Sequence, residues 1–217
     1  MFELPLFPLN TVLFPGMPLN LHVFEDRYTR MIRECIESSK PFGVALIKRG
    51  LEAHGPLAEP YEIGCTARII EVEPLSEGRM NIVALGQKRF RILSLNDQNS
   101  TLVGKVEIYP LEGSDKEILT LIGKRLRPWV KRYMDILSQV SDANLEAEHL
   151  PNDPLALAYL AAVLLQVPPT QKQPLLATER AEKFLGKMYA LYRREVFLLD
   201  AIVTKEMQAE KHLFSKN

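Results

Sequence analysis

Prolines crowd the start of this chain and constrain what its first half can fold into. Nine of the fifteen prolines lie within residues 1–110, and four of them precede residue 19. Proline fixes φ and has no backbone N–H, so a proline-rich strand cannot lie in the middle of a hydrogen-bonded ladder. We therefore expect the opening segment to be extended and to lie at a sheet edge or to wrap a seam.

Short runs of β-forming residues fill the rest of the first half. Arg89 and Arg91 would face one side of a strand, and Phe90 and Ile92 the other. This period of two is typical of antiparallel strands with one wet face. Turn signals separate the runs at Glu77-Gly78, Asn96-Asp97 and Asn99-Ser100. The expected strands are residues 42–48, 66–72, 80–85, 89–95 and 102–109.

One helix is expected in this half, over residues 26–39. Its apolar residues recur at the spacing that gives an amphipathic helix one buried face. Asp26 or Glu25 can cap its first free amides, and Pro41 helps to end it. Many short strands and a single helix predict a small, curled, barrel-like sheet. The apolar stripe consists of Tyr28, Met31, Ile32, Cys35 and Ile36.

Helical patterns dominate the second half. Ser114 and Glu117 form a capping box, which predicts a helix running to about residue 137 that Pro128 bends or interrupts. A second helix is expected to start with Asp153 as its N-cap and Pro154 at its first position, and to end before the next pair of prolines.

A third helix is expected to begin at Thr178 and to reach as far as Lys211, with an apolar stripe for packing. The fold class is therefore α+β, with a curled antiparallel β-domain carrying one helix in residues 1–112. An α-helical bundle domain that ends in a long helix follows in residues 113–217. The apolar stripe of the long third helix consists of Leu185, Met188, Tyr192, Val196, Leu199 and Val203.

Composition disfavours several classes of protein. Lys and Arg number 27, as do Asp and Glu, so the formal net charge is zero. This balance argues against a net-basic nucleic-acid binder and against an acidic disordered chain. Hydrophobic residues make up 47%, enough for a core without metal or disulfide staples. Two cysteines exclude a disulfide framework.

The N-terminus has no basic segment followed by an apolar run, so no signal peptide is expected. The longest apolar stretch, residues 155–165, is shorter than the roughly 20 residues that span a bilayer. We expect a cytoplasmic protein with reduced thiols and no membrane partner.

The sequence carries no complete catalytic or cofactor motif. Gly123-Lys124 and Gly186-Lys187 lack the upstream glycine and the following Ser or Thr of a phosphate-binding loop. No G-x-S-x-G, H-E-x-x-H or C-x-x-C motif is present. Cys35 and Cys65 are interpreted as core residues. The sequence therefore predicts no enzymatic activity, no cofactor and no metal site. The spacing of the four histidines does not indicate a metal site; they are His22, His54, His149 and His212.

A local basic cluster within residues 124–132 leaves two interpretations open. With Trp129 and Tyr133 interleaved, it indicates either a patch for nucleic acid or an acidic partner, or a solvated helix face with its aromatic residues turned inward. The acidic pairs Glu71–Glu73 and Glu146–Glu148 are interpreted as surface charge, because no partner acid or base brackets them. The basic cluster consists of Lys124, Arg125, Arg127, Lys131 and Arg132.

The opening segment carries the most specific signal. It reads Leu-Pro-Leu-Phe-Pro over residues 4–8, Leu-Phe-Pro-Gly over 13–16 and Phe-Glu-Asp-Arg-Tyr over 24–28. Ile-Gly-Cys-Thr-Ala over 63–67 and Gly-Gln-Lys-Arg-Phe over 86–90 follow as later landmarks. These motifs resemble the N-terminal domain of Lon-type ATP-dependent proteases and their stand-alone relatives, and the resemblance covers nearly the whole chain.

The resemblance implies a PUA-like β-domain joined to a helical bundle. In the protease this module is associated with substrate engagement and assembly, while catalysis lies in other domains. This sequence shows no P-loop for the ATPase domain and has no room for the Ser-Lys protease domain. We therefore expect a non-catalytic module that binds proteins or peptides, for example an adaptor for unfolded or partner proteins.

The candidate binding residues are Phe14, Met17 and Leu19, because an apolar turn tip is hard to bury completely. The competing interpretation is that they pack inward. The alternative function is RNA binding through the basic helix 124–132, since PUA-like folds include RNA binders. A third interpretation is a small-molecule pocket or an unrecognised hydrolase.

Overall fold

The computed structural model describes residues 1–52, 58–96, 101–113, 115–140 and 150–214. Several predicted features lie outside these residues: the turn signals at Asp97 and Asn99-Ser100, the capping residue Ser114, the acidic pair Glu146–Glu148, and His54 and His149.

The described residues form seven β-strands, five α-helices and one short 3-10 turn. The strands are β1 (Phe2–Leu9), β2 (Pro18–Val23), β3 (Phe42–Arg49), β4 (Glu59–Pro60), β5 (Ile63–Pro74), β6 (Met80–Asn96) and β7 (Leu102–Ile108). The helices are α1 (Asp26–Ser38), α2 (Lys116–Val140), α3 (Pro154–Leu164), α4 (Pro169–Leu176) and α5 (Ala181–Phe214), and the 3-10 turn is Ser76–Gly78.

The chain divides into two compact units. The β-unit comprises Met1–Glu112 and Ala162–Glu179, and the helical unit comprises Gly113–Ala161 and Arg180–Asn217. The α+β fold class is confirmed, with a mainly antiparallel sheet and a long C-terminal helix. The expected two domains, 1–112 and 113–217, stay a prediction.

In the β-unit, five strands close on themselves in the order β1-β7-β6-β5-β3 because β1 pairs with both β7 and β3. The proline-rich β1 wraps this seam, as expected. Its first part, which contains Pro5, pairs with β7, and its last part, which contains Pro8, pairs with β3. Each proline thus has one strand partner, which accommodates its missing N–H.

Helix α1 packs its apolar face on the larger core cluster of the β-unit. Tyr28, Met31, Ile32 and Cys35 are buried there, whereas Ile36 of the same stripe remains 38% exposed. The helix begins after Glu25, but no side chain caps its amides. The expectation that the side chain of Asp26 or Glu25 caps the first amides of α1 is therefore wrong. The Glu25 carboxylate binds Arg27 instead, at 3.0 Å.

Arg89 departs from its expected position on a wet face. Only 4% of Arg89 is exposed, and its Nη1 donates to the carbonyl oxygens of Leu176 and Thr178, each at 2.6 Å. Its guanidinium also lies 4.9 Å from the ring centre of Tyr109. A charged donor at the C-terminal end of a helix satisfies carbonyls that the helix leaves free. Arg89 thereby fixes α4, a helix that the sequence patterns did not predict, to the sheet.

The helical unit confirms several predicted boundaries. Asp153 caps α3, since its Oδ1 accepts the Ala156 N–H at 2.8 Å. Asp115 plays the same role for α2, accepting the Glu117 N–H at 2.8 Å. Helix α2 continues through Pro128 without interruption, and α5 begins at Ala181 rather than Thr178. The α5 stripe is buried at Leu185, Met188, Tyr192 and Val196, and half-buried at Leu199 and Val203.

Candidate functional site

The loop between β1 and β2 holds the three residues expected to bind a partner. Phe14 is fully buried and Leu19 nearly so, while Met17 is half-buried against the larger core cluster. Two backbone hydrogen bonds explain this packing: Gly16 N donates to Gly86 O, and Gly86 N donates to Met17 O, both at 2.9 Å. Partner binding through these residues stays a prediction, and Met17 keeps the largest exposed surface of the three.

The basic cluster lies on α2, and two of its members have partners within the helical unit. Arg127 donates to the backbone oxygens of Leu150 and Pro151, and Arg132 binds Asp200 at 2.6 Å. Tyr133 is buried. The remaining basic residues, Lys124, Arg125 and Lys131, are exposed.

A groove lies between the end of α1 and the second half of β5, and we call it the α1–β5 groove. Its volume is about 250 Å³. Three apolar side chains are open to solvent along it: Ile36 is 38% exposed, Ile70 45% and Val72 41%. The lining residues are Cys35, Ile36, Ser39, Lys40, Arg68, Ile69, Ile70 and Val72.

The local chain geometry explains why these apolar residues stay exposed. Helix α1 ends two residues after Ile36, with Ser39 in the left-handed conformation, so no further turn covers the side chain. On β5, the register shifts between Ile69 and Glu71, which leaves Ile70 as the extra residue of a β-bulge. Sequence reasoning missed this groove. The adjacent apolar residues Ile69 and Ile70, which break the period-two pattern, were its only visible signal.

A second concave surface, of about 570 Å³, lies across β2, β6 and the second half of β5, and we call it the acidic shelf. Its lining residues are Asn20, Leu21, His22, Glu71, Val72, Glu73, Asn81, Ile82 and Val83. At its centre the side-chain amide of Asn81 donates to Glu73 Oε2 at 2.8 Å, and its oxygen lies 2.8 Å from His22 Nδ1. This arrangement places the proton of neutral His22 on Nδ1. Glu71 and Glu73 are exposed, and neither has an ion-pair partner among the residues that the structure describes.

A third concave surface of the β-unit lies beside α4 and has a volume of about 590 Å³. Gln173 anchors α4 here by donating to Ile63 O at 2.8 Å, and Lys48 binds Glu59 at the same surface at 2.9 Å. The hydrogen bond from Lys48 lowers the pKa of Glu59. The apolar part of the lining consists of Pro60, Tyr61, Ile63, Leu95, Pro174 and Ala177.

Both cysteines are core residues, as expected. Cys35 and Cys65 are buried free thiols. Burial raises the pKa of Cys35 to about 11 and that of Cys65 to about 12, so neither forms a thiolate at neutral pH. Among the described residues, no group of three or more His, Cys, Asp or Glu could hold a metal ion. Within the same residues, every helix is too short or too polar to cross a membrane.

Comparisons with known proteins agree on one family. The family model described as the ATP-dependent protease La (LON) substrate-binding domain matches residues 3–194. The solved structure of a Lon N-terminal domain protein from Xanthomonas campestris superposes with a TM-score of 0.64 at 27% identity, covering 88% of this chain and 98% of that one.

Curated relatives are longer than this chain. Lon protease 2 of Myxococcus xanthus is 27% identical over 177 residues, which cover 81% of this chain and 21% of the relative. The Lon protease of Anaeromyxobacter dehalogenans is 25% identical over 214 residues, which cover 95% of this chain and 25% of the relative. The chain thus spans between a fifth and a quarter of the length of these proteases.

Proposed function

Since this chain belongs to the family of Lon substrate-binding domains, we propose that it is a non-catalytic adaptor that binds unfolded protein segments in the α1–β5 groove. The observation that carries this proposal is the exposure of Ile36, Ile70 and Val72 around one groove of the β-unit. Contiguous exposed apolar side chains are a feature of protein-interaction surfaces.

The expected affinity is modest. Complete burial of a Val or Ile side chain contributes about 1.5–3 kcal/mol, and about two fifths of each side chain remains to be buried here. Together the three side chains would contribute about 2–3 kcal/mol, before any contribution from backbone hydrogen bonds. Such a surface favours transient over tight binding, which suits an adaptor for unfolded chains.

The non-catalytic part of the proposal is supported by the state of the two thiols. Cys35 borders the groove, but burial raises its pKa to about 11. A thiol needs a lowered pKa to act as a nucleophile at neutral pH. Cys35 therefore offers the groove contact surface and not an activated nucleophile. A cytoplasmic location stays a prediction.

RNA binding through α2 stays the alternative prediction. Arg127 and Arg132 already bind groups of their own unit, so an RNA would meet mainly Lys124, Arg125 and Lys131. Such binding would weaken steeply with salt, because it releases condensed counterions. Apolar contacts in the groove would depend little on salt.

The test is fluorescence anisotropy of a labelled, permanently unfolded protein, such as reduced and carboxymethylated α-lactalbumin, titrated with this chain at two salt concentrations. We expect Ile70→Asp to weaken binding at least five-fold, because it places a charge in the apolar groove. The matched control is Leu93→Asp, since Leu93 is 42% exposed on β6 and does not line the groove.

Unchanged affinity in Ile70→Asp, with an unchanged melting temperature, would contradict binding in the groove. No binding by the wild-type chain would contradict the function itself. A labelled RNA of similar size, titrated in parallel, would support the alternative if it alone bound and did so with a steep salt dependence.

A further inference from the structure

The second half of β5 is an open strand edge. Every pairing of the stretch from Arg68 to Pro74 is with β6, whereas β3 pairs with β5 only from Cys65 to Ala67. Among the described residues, no strand therefore lies on the other side of this stretch. An unpaired edge presents backbone N–H and C=O groups that can accept one more strand.

The side chains along this edge alternate in chemistry. Glu71, Val72 and Glu73 pair with Val83, Ile82 and Asn81 in consecutive register. Val72 borders both concave surfaces, whereas Glu71 and Glu73 line only the acidic shelf. Because successive side chains of a strand point to opposite faces, Val72 points away from the face that carries the two glutamates.

An added strand would continue this alternation. Its residues beside Glu71 and Glu73 would lie on the acidic face, and the residue between them would lie beside Val72 in the groove. Opposite charges on neighbouring strands stabilise a sheet, as do contacts between β-branched side chains. Arg68 is exposed before the bulge, so the edge is positively charged there and negatively charged at Glu71 and Glu73 after the bulge. The basic residues of the added strand would therefore lie beside the two glutamates.

The same charges argue against a second copy of this chain as the occupant. Antiparallel pairing of two β5 edges about Val72 would place Glu71 of one copy opposite Glu73 of the other. Like charges directly opposite each other destabilise a sheet.

We propose that the β5 edge binds an extended peptide segment with alternating basic and apolar side chains, which adds to the sheet as a further strand. This inference rests on the proposed function and names the class of segment that the α1–β5 groove selects. The backbone of the β5 edge would form the hydrogen bonds to the added strand. Glu71 and Glu73 of the acidic shelf would favour segments with basic side chains.

The test uses labelled, end-blocked nine-residue peptides and fluorescence anisotropy. The first peptide alternates Lys and Val, the second alternates Glu and Val, and the third has the Lys and Val residues of the first in two separate blocks. We expect the alternating Lys/Val peptide to bind at least ten-fold more tightly than either control. An alternating Lys/Val peptide with N-methylated backbone amides on its bonding side should lose this advantage.

Variants of the chain complete the test. The double variant Glu71→Lys/Glu73→Lys should reverse the preference and bind the Glu/Val peptide more tightly than the Lys/Val peptide. Val72→Ser should weaken binding of the alternating Lys/Val peptide. The matched control is Ile108→Ser, which should leave this binding unchanged, although Ile108 on β7 is 42% exposed and Val72 is 41% exposed.

Equal affinity for the alternating and block peptides would overturn strand addition and leave only charge attraction. A double variant that keeps its preference for the Lys/Val peptide would overturn the edge as the site. If the unfolded protein still binds in these two cases, the proposed function stands and only this inference fails. If the wild-type chain binds neither the unfolded protein nor any peptide, both fail.

Discussion

The Arg89→Met variant is expected to lose about 2–4 kcal/mol of its free energy of unfolding. Arg89 is buried, and its Nη1 is the donor for Leu176 O and Thr178 O at the end of α4. Methionine keeps most of the apolar stem but removes both charge-assisted hydrogen bonds. Each buried carbonyl left without its donor costs about 1–3 kcal/mol, and relief from burying the charge offsets part of this.

Urea unfolding followed by circular dichroism measures this loss. Hydrogen exchange in α4 should also accelerate, because α4 loses its charged contact with the sheet. The matched control is Arg91→Met. The Arg91 side chain is 35% exposed and binds Glu107 and Glu179 at 3.6 and 3.4 Å, and partly exposed ion pairs contribute about 0–1 kcal/mol. Equal losses in the two variants would contradict the role assigned to Arg89.

Gly86→Ala is expected to be destabilising by about 2–4 kcal/mol. A Cβ at this position would lie 2.2 Å from Phe14 O and 3.1 Å from Leu13 Cγ. Backbone cannot yield as a flexible side chain can, so the loop between β1 and β2 would have to move and lose its two hydrogen bonds to Gly86. Overpacking of this kind typically costs about 1–3 kcal/mol, and the lost hydrogen bonds add to it.

Gly186→Ala is the control for this substitution. Gly186 lies within α5, and a Cβ there meets no atom within 4 Å apart from its chain neighbours and the backbone of its own helix. Alanine in a helix is more stable than glycine by about 0.8–1 kcal/mol, so this variant should gain stability. The melting temperatures of both variants check the pair of predictions, and a stable Gly86→Ala protein would show that the loop is not held as described.

These two positions explain physically what the family motif over residues 86–90 does. Gly86 admits the carbonyl of Phe14 against the sheet, and Arg89 fastens the end of α4 to the same strand, three residues later. Both roles are structural. These two residues of the motif therefore stabilise the fold of the β-unit.

The fold was predictable where local patterns decide it. The period of two predicted strands, the apolar stripe predicted α1, and Asp153 with Pro154 predicted the start of α3. The path of β1 along the seam followed from its prolines. In each case, residues close in sequence determine the backbone conformation, so the tertiary structure is not needed to infer it.

The features that failed depend on contacts between distant residues. Arg89 was expected on a wet face because arginine is rarely buried, but its partners lie almost ninety residues later in the chain. The sequence left open whether Phe14 and Leu19 are exposed or pack inward, and their burial depends on the backbone of Gly86, which holds their loop against the sheet.

The groove itself could not be predicted for the same reason. It exists because β3 stops pairing at Ala67 and α1 ends beside the stretch of β5 that follows. Ile36 was assigned to the buried stripe by its spacing alone. Spacing identifies the apolar face of a helix, but it does not show how much of that face the rest of the protein covers.

Hydrogen–deuterium exchange measured with and without saturating unfolded protein tests the central claim most directly. Binding in the α1–β5 groove predicts slower exchange at the end of α1 and along the β5 edge from Ile70 to Glu73, with no change in the basic part of α2, residues 124–132. Protection confined to α2, or to the loop that contains Met17, with exchange at the β5 edge unchanged, would contradict the claim.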